Sequence, residues 1–337
     1  MDKNNYLKIS NLRRKLLATG AVLPALVWAG AVFAQTKKAP ILIGWLNNGS
    51  RESFGHFFAA FKEGLAALGW KEGSNVVFEE RWADGRTERL QPLAQELAAK
   101  KPAVIVALGS SVRAAAKAAP NTPVVQAGGA DPVAAGLVAS LARPGGMVTG
   151  VSSIGSEISE KFLELLLAAA PKLRRIGFLF DSTTGNIALQ RENTRRSVAQ
   201  HSVEARYAEV ARLEEIEPAL SRLAKEGAQA LVLLPSSTFL VERRRIVKLA
   251  LAHRWPVIAG LREWAEEGAL LSYGVDPSAN YRRAAYYVDR ILKGAKPGDL
   301  PIEQPTKFEL VINLKTAKAL KLEIPRDLAV RADRVIE

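Results

Sequence analysis

From Ala39 onward, short apolar runs alternate with longer stretches in which apolar residues recur every three or four positions. A short continuous run bounded by Gly, Pro or polar residues reads as a strand buried on both faces, and a longer periodic stretch reads as an amphipathic helix. Their alternation is the signature of parallel βαβ units. The pattern predicts strands over residues 41–46, 76–81, 104–108, 124–127 and 148–151, with helices over 54–68, 88–99 and 112–118 and a shorter helical turn over 132–141. A second series follows, with strands over 176–180, 204–208, 230–234, 257–259 and 270–273 and helices over 187–200, 213–226, 240–253 and 278–293.

The two series also echo each other. In the first, the run ending at Leu108 leads to Ser110-Ser111, a helix, Pro123-Val124-Val125 and Gly136. In the second, the run ending at Leu234 leads to Ser236-Ser237, a helix, Pro256-Val257-Ile258 and Gly268. A structural repeat of this kind sets two similar domains face to face, with the carboxyl ends of their strands bordering a common cleft. The tail differs in texture: Lys296-Pro297-Gly298-Asp299-Leu300-Pro301 is a linker, and residues 308–312 read as a final strand. The fold class expected is therefore α/β, two doubly wound parallel-sheet lobes with a ligand cleft between them. The first lobe takes residues 39–151 plus about 278–303, and the second takes 152–277 plus about 304–337. Repeated crossing makes a multi-strand hinge, which favours closure around a ligand.

Residues 1–34 read as a targeting segment rather than as fold. Lys3, Lys8, Arg13, Arg14 and Lys15 form a basic region before an apolar stretch over 16–33, and Val32-Phe33-Ala34 supplies the residues a signal peptidase needs, with cleavage after Ala34. Arg13-Arg14 points to the twin-arginine route, whereas Leu12 stands where Ser or Thr is usual, so the general route fits as well. A retained anchor is the alternative, which Gly20, Pro24 and Gly30 disfavour. The mature chain keeps 42 basic and 33 acidic residues, a net charge of +9. Without cysteine it has no disulfide, no Cys-ligated metal and no lipid on an N-terminal Cys, so it is expected free in a periplasm.

A composition of 337 residues, 48% apolar and 24% charged, is that of a globular protein of about two domains and not of a multi-span membrane protein. Export and the scatter of Arg174-Arg175, Arg195-Arg196 and Arg282-Arg283 argue against a nucleic-acid partner. The one run, Arg243-Arg244-Arg245, reads as the solvated face of a helix.

Catalytic machinery is sparse. His56, His201 and His253 are the only imidazoles and none stands at metal-ligand spacing, and no Walker A loop, Gly-x-Gly-x-x-Gly or Gly-x-Ser-x-Gly is present. No cofactor and no metal are expected. What remains is a set of small polar residues at strand ends, where doubly wound domains bind ligands. Ser110 and Ser111 open a helix whose free amides suit a carboxylate, and they fit simple N-capping equally. Asn48 and Ser50 follow the first strand, with Phe54 able to stack on a flat ligand. Asp131 either caps a helix or takes an ammonium. The equivalent loops of the second series hold Asp181, Thr183, Asn186, Ser236, Ser237, Arg262, Tyr273 and Asp276.

Longer strings carry a family resemblance. Ala130-Asp131-Pro132-Val133, then Gly136-Leu137-Val138-Ala139-Ser140-Leu141-Ala142-Arg143-Pro144-Gly145-Gly146, then Val148-Thr149-Gly150-Val151, closely resemble the substrate-binding proteins of ABC transporters of the tryptophan/tyrosine type. So do Tyr281-Arg282-Arg283-Ala284-Ala285, the stretch Ile291-Leu292-Lys293-Gly294-Ala295-Lys296-Pro297, the stretch Gln304-Pro305-Thr306-Lys307-Phe308, and the ending Arg331-Ala332-Asp333. The resemblance covers nearly all of residues 40–337.

It implies a type I periplasmic binding fold that closes on a small solute. The solute is an amino acid or related carboxylate, aromatic ones being candidates, and is delivered to an inner-membrane permease by a monomer that performs no chemistry. Three departures stand out: Met147 where the family usually has Asn, Ala130 for a Gly before Asp-Pro, and Lys321 for a Gly in the closing helix. A Met147 in the cleft shifts preference toward a less polar solute, and a Met147 in a turn changes nothing. The alternative from the regulatory class is a ligand sensor that presents its closed form to a membrane kinase or chemoreceptor. A periplasmic hydrolase is remote for want of a nucleophile motif, and a DNA-binding regulator needs a helix-turn-helix where the export signal stands.

Overall fold

Five parallel strands, β1 (Ile41–Asn47), β2 (Val76–Trp82), β3 (Val104–Ala107), β4 (Val124–Ala127) and β5 (Val148–Val151), make the first sheet in the order β2-β1-β3-β4-β5. Helices α1 (Arg51–Ala67), α2 (Leu90–Ala99) and α3 (Ser110–Ala118) connect its first four strands. The computed structural model describes residues 39–129, 131–152 and 158–337. The leader and Ala130 therefore lie outside the described residues.

The second series begins with α4 (Ile158–Ala169), β6 (Arg175–Asp181), α5 (Ile187–Ala199), β7 (Glu204–Val210), α6 (Ile216–Lys225) and β8 (Ala230–Leu233). It continues through α7 (Ser237–Val241), α8 (Arg243–Ala252), β9 (Val257–Ala259), α9 (Arg262–Glu266) and β10 (Leu271–Val275). After α10 (Pro277–Leu292) come β11 (Phe308–Asn313), α11 (Leu314–Leu320), α12 (Arg326–Val330) and β12 (Arg334–Ile336). The second sheet runs β12-β11-β10-β9-β8-β6-β7, with β11 antiparallel to β10 and β12 parallel to β11. Its segment β7-β6-β8-β9-β10 repeats the winding β2-β1-β3-β4-β5. The echo in the sequence is thus a repeat in the fold.

Local chemistry explains the elements that border the cleft. Ser50 caps α1, its hydroxyl accepting from the Ser53 amide at 3.1 Å, and Phe54, Phe57, Phe58, Phe61 and Leu65 then line one buried face. Beneath them Trp45 of β1 packs its ring against Phe58 at 4.5 Å and Tyr281 at 5.2 Å. Tyr281 lies on α10, so this helix leaves the second sheet and returns to the first. It packs so closely on α1 that a Cβ at Gly64 would sit 2.9 Å from the Ala285 Cβ, which is why glycine stands there. The chain crosses between sheets after β5, after β10 and again before β11. At the last crossing Glu303 pairs with the end of β5: its amide donates to Gly150 O at 3.0 Å and its carbonyl accepts from the Ser152 amide at 2.8 Å. Arg283 of α10 holds the Glu303 carboxylate through Nε at 2.7 Å.

Several elements differ from the sequence reading. Residues 132–141 form turns and no helix, because Asp131 Oδ1 accepts from the Val133 and Ala134 amides and Gly136 takes a φ of 68°. The helix expected over 213–226 begins as a 3₁₀ turn at Leu213–Glu215, with Pro218 in the first turn of α6. That over 240–253 is two helices, broken at Glu242. Helix α4 escaped the sequence reading because the unbroken apolar run over 165–170 hides its period, although Ile158, Phe162, Leu163, Leu165 and Leu166 line one buried face.

Met147 precedes β5 at the amino ends of the strands, its carbonyl accepting from the Val124 amide at 2.7 Å, while the ligand cavity lies at the carboxyl ends. Of its two readings, the turn residue is the one observed. Lys321 ends α11 in the left-handed region, φ 58° and ψ 40°, where a side chain is strained and Gly is favoured. Lys321→Gly is expected to raise the unfolding free energy by about 1 kcal/mol, read as a higher urea midpoint with an unchanged slope.

Candidate functional site

The carboxyl ends of both sheets open onto one cavity of about 450 Å³, within the size range of small-molecule sites. Eight of the fourteen sequence-predicted residues line it: Asn48, Phe54 and Ser110 from the first lobe, and Asp181, Thr183, Asn186, Ser236 and Ser237 from the second. The other six lie off its wall, each for a local reason. Ser50 is spent as the cap of α1, and Asp276 caps α10 by accepting from the Ser278 amide at 2.8 Å. Ser111 is wholly buried behind Ser110, and Asp131 holds its own turn. Arg262 pairs with Glu266 and Glu309, and Tyr273 stacks at 5.3 Å behind Phe308, which does reach the cavity.

Sequence reasoning missed Phe57, Thr87, Arg113, Lys117, Gln126, Gln190, Trp264, Asn280 and Phe308, all on the wall. Some had a signal. Arg113 and Lys117 stand three and seven positions after Ser110, on the same face of α3, and Thr87 follows β2 at a strand end. Phe57 looked like core because it shares the stripe of Phe54, and Trp264 lies on a five-residue helix too short for periodicity to reveal.

The lobes touch across the cavity. Asn48 Nδ2 donates to Thr87 Oγ1 in its own lobe and to Thr238 Oγ1 in the other, both at 3.1 Å. Thr87 and Thr183 hydroxyls meet at 3.2 Å, and Thr183 donates to Asp181 through its amide at 2.9 Å and its hydroxyl at 2.5 Å. Ser236 Oγ completes the set, 2.6 Å from the other oxygen of Asp181, whose exposure is only 4%. Around the rim, Arg86 pairs with Glu214 at 3.1 Å and Arg244 with Glu52 at 3.3 Å. Arg243, expected in solvent, has a side chain only 13% exposed and donates to Ser53 Oγ at 3.0 Å. Arg244 and Arg245 are exposed as expected. The arrangement is a closed one, and an apolar cluster including Phe54, Phe57, Phe239 and Trp264 runs through both lobes.

Chemically, the cavity offers an aromatic wall, many neutral hydrogen-bonding groups, one carboxylate that is already engaged, and two cations, Arg113 and Lys117, on exposed positions of α3. Among the described residues no cluster of His, Asp and Glu is placed to hold a metal ion, and no helix is long and apolar enough to cross a membrane.

Residues 50–336 match the model of the ABC transporter substrate binding protein family, and the chain belongs to that family. It is similar to the tyrosine-binding protein of Clostridioides difficile (strain R20291), 29% identical over 265 residues, which is 78% of this chain and 76% of that protein. A crystal structure of an ABC domain in complex with L-Trp from Streptococcus pneumoniae is 25% identical, with a TM-score of 0.82 over 88% of this chain and 100% of that one. A conserved domain protein from Vibrio cholerae O1 biovar El Tor is equally similar, 25% identical with a TM-score of 0.82 over 88% and 99% of the two chains. The fold is that of the type I periplasmic binding proteins, and the protein is a solute-binding component of an ABC transporter, not an enzyme.

The contact between His56 and Glu263 crosses between the lobes and carries a pH dependence. His56 Nε2 lies 3.2 Å from Glu263 Oε1. Burial pushes the Glu263 carboxyl up, but the hydrogen bonds from His56 and from its own backbone amide, with the charges of His56 and Arg262, hold it below its ordinary value of 4.5. A lowered folded value means stabilisation that is complete above pH 4.5 and is lost as pH falls through the folded value. The thermal midpoint of wild type is expected to fall more steeply than that of Glu263→Gln on acidification below pH 4.5.

Proposed function

We propose that this protein is the periplasmic receptor for an aromatic amino acid, exported by its leader, cleaved after Ala34 and active as a free monomer that hands its solute to an inner-membrane permease. The observation that carries the reading is the cavity itself, enclosed between lobes and combining Phe54, Phe57, Trp264 and Phe308 with the polar loop residues at the strand ends. A flat side chain gains burial and ring contacts on such a wall. The amide-rich start of α3 at Ser110 suits the solute carboxylate, with Arg113 and Lys117 drawing anions to the mouth. Asn48, Asp181, Thr183, Asn186, Ser236 and Ser237 are the remaining contacts of the reading.

The relatives support this class, since one is named for tyrosine and another was solved with L-Trp. Closure supplies the signal a permease reads, because a solute that bridges both lobes binds the closed form better than the open one. Residues 35–337, freed of carried solute by unfolding and refolding, are expected to bind L-tryptophan or L-tyrosine in calorimetry and to return it unaltered. Trp264→Ala should weaken that binding at least about tenfold. Saturable binding of a sugar with no response to any amino acid would refute the reading.

A further inference from the structure

Arg113 lies where three walls of the cavity meet. It stands on α3 of the first lobe, three positions after Ser110, and its Nη2 donates at 2.6 Å to the carbonyl of Ala135 in the turns that follow β4. Across the cleft, a Cβ at Gly185 in the loop after β6 would stand 3.7 Å from the same nitrogen. Arg113, Ala135 and Gly185 all line the cavity. Closure thus lays the second lobe against an exposed guanidinium that the first lobe already holds in place.

Holding matters because a guanidinium is planar and carries five N–H donors in a fixed fork. The bond to Ala135 uses one donor and sets the plane, and no carboxylate among the described residues pairs with the group. Asp181, the one carboxylate among the described residues of the wall, is already met by Thr183 and Ser236. Gly185 leaves the fork open. Its φ lies outside the left-handed region, and the Arg113 nitrogen is the one described neighbour that a Cβ there would meet within 4 Å. Neither backbone nor packing calls for glycine at 185, but a longer side chain would cover the guanidinium from the second lobe. Lys117, one turn further along α3, has no such anchor among the described residues and acts on anions only at a distance.

We infer that Arg113 binds the carboxylate of the solute directly as the lobes close, and so makes a negative charge a condition of tight binding. Approach of Gly185 takes water from one side of the guanidinium, and a cation that loses water gains from an anion in the water's place. The aromatic wall alone would hold an aromatic amide or ester as well as the acid, and Arg113 sets the acid apart. The inference rests on the aromatic amino-acid reading for its choice of probe.

The test compares L-tryptophan with L-tryptophanamide, which keeps the ring and the ammonium but has no carboxylate charge. Calorimetry is run on residues 35–337 of wild type, Arg113→Gln and Lys117→Gln, with folding checked by thermal unfolding. Wild type should bind the acid at least about tenfold more tightly than the amide. Arg113→Gln should weaken the acid about tenfold more than the amide, at about 0.1 M salt and at about 1 M alike. Lys117→Gln should weaken the acid at about 0.1 M salt and lose that effect at about 1 M, where exposed charges are screened beyond about 3 Å. If Arg113→Gln does not fold, Arg113→Lys, which keeps the charge and loses the fork, should still narrow the gap.

A gap that the Arg113 substitution leaves unchanged, or a loss that vanishes in high salt as for Lys117→Gln, overturns the inference. Equal binding of tryptophan and tryptophanamide by wild type also overturns it, and the aromatic reading then stands. If wild type ignores both and takes an anionic solute without a ring, the aromatic reading falls alone, and Arg113 is judged by the same gap between that solute and its amide. A neutral solute as the sole ligand overturns both.

Discussion

The closed arrangement depends on the carboxylate of Asp181 at the end of β6. Buried at 4% exposure, it accepts from the Thr183 amide, the Thr183 hydroxyl and the Ser236 hydroxyl, which compensate its charge for the loss of water. Its inability to donate fixes the polarity of the bonds that follow, through Thr183 and Thr87 to Asn48 and Thr238. A chain of hydroxyls alone would have no direction. Anchored on one anion it has a single direction, and it crosses the cleft twice.

This chain can form because two sheets of the same winding present their carboxyl ends to each other. Loops after β1 and β2 meet loops after β6 and β8, and every polar residue of the network ends a strand, sits in one of these loops or opens the helix that follows. The packed faces behind them hold the loops in place: Phe58, Phe61 and Trp45 under the first, and Phe162, Phe178 and Phe180 on the far face of the second sheet. The crossing strands after β5 and before β11 run side by side through Glu303, which Arg283 grips from α10. Paired crossings of this kind are the form a hinge takes, and with such a hinge the facing surfaces need only modest bonds to choose between parted and closed.

Much of this was legible in the chain. Alternating strand and helix periods located ten strands of the two series and the repeat between them, because strands buried on both faces read as plain apolar runs. Helix α4 escaped because the unbroken apolar run over 165–170 hides its period, and the turns after Asp131 were read as a helix because one Asp side chain and a positive φ at Gly136 outweighed apolar spacing. At the site, strand-end logic found Asn48, Ser110, Asp181 and Ser236, which border the cavity whatever the partner lobe does. It also gathered Ser50, Asp276 and Asp131, because the same side chains that hold ligands also cap helices and turns. Trp264 and Phe308 were out of reach, since only the meeting of two lobes sets them opposite the loops of the first, whereas Thr87 carried the strand-end signal and was passed over.

The most direct measurement is small-angle X-ray scattering of residues 35–337, freed of solute, with and without saturating L-tryptophan. Solute-driven closure predicts a smaller radius of gyration with ligand, and a scattering curve that then matches the closed arrangement of Asn48 on Thr238 and Thr87 on Thr183. Identical curves, with calorimetry showing the ligand bound, would contradict closure as the purpose of the site.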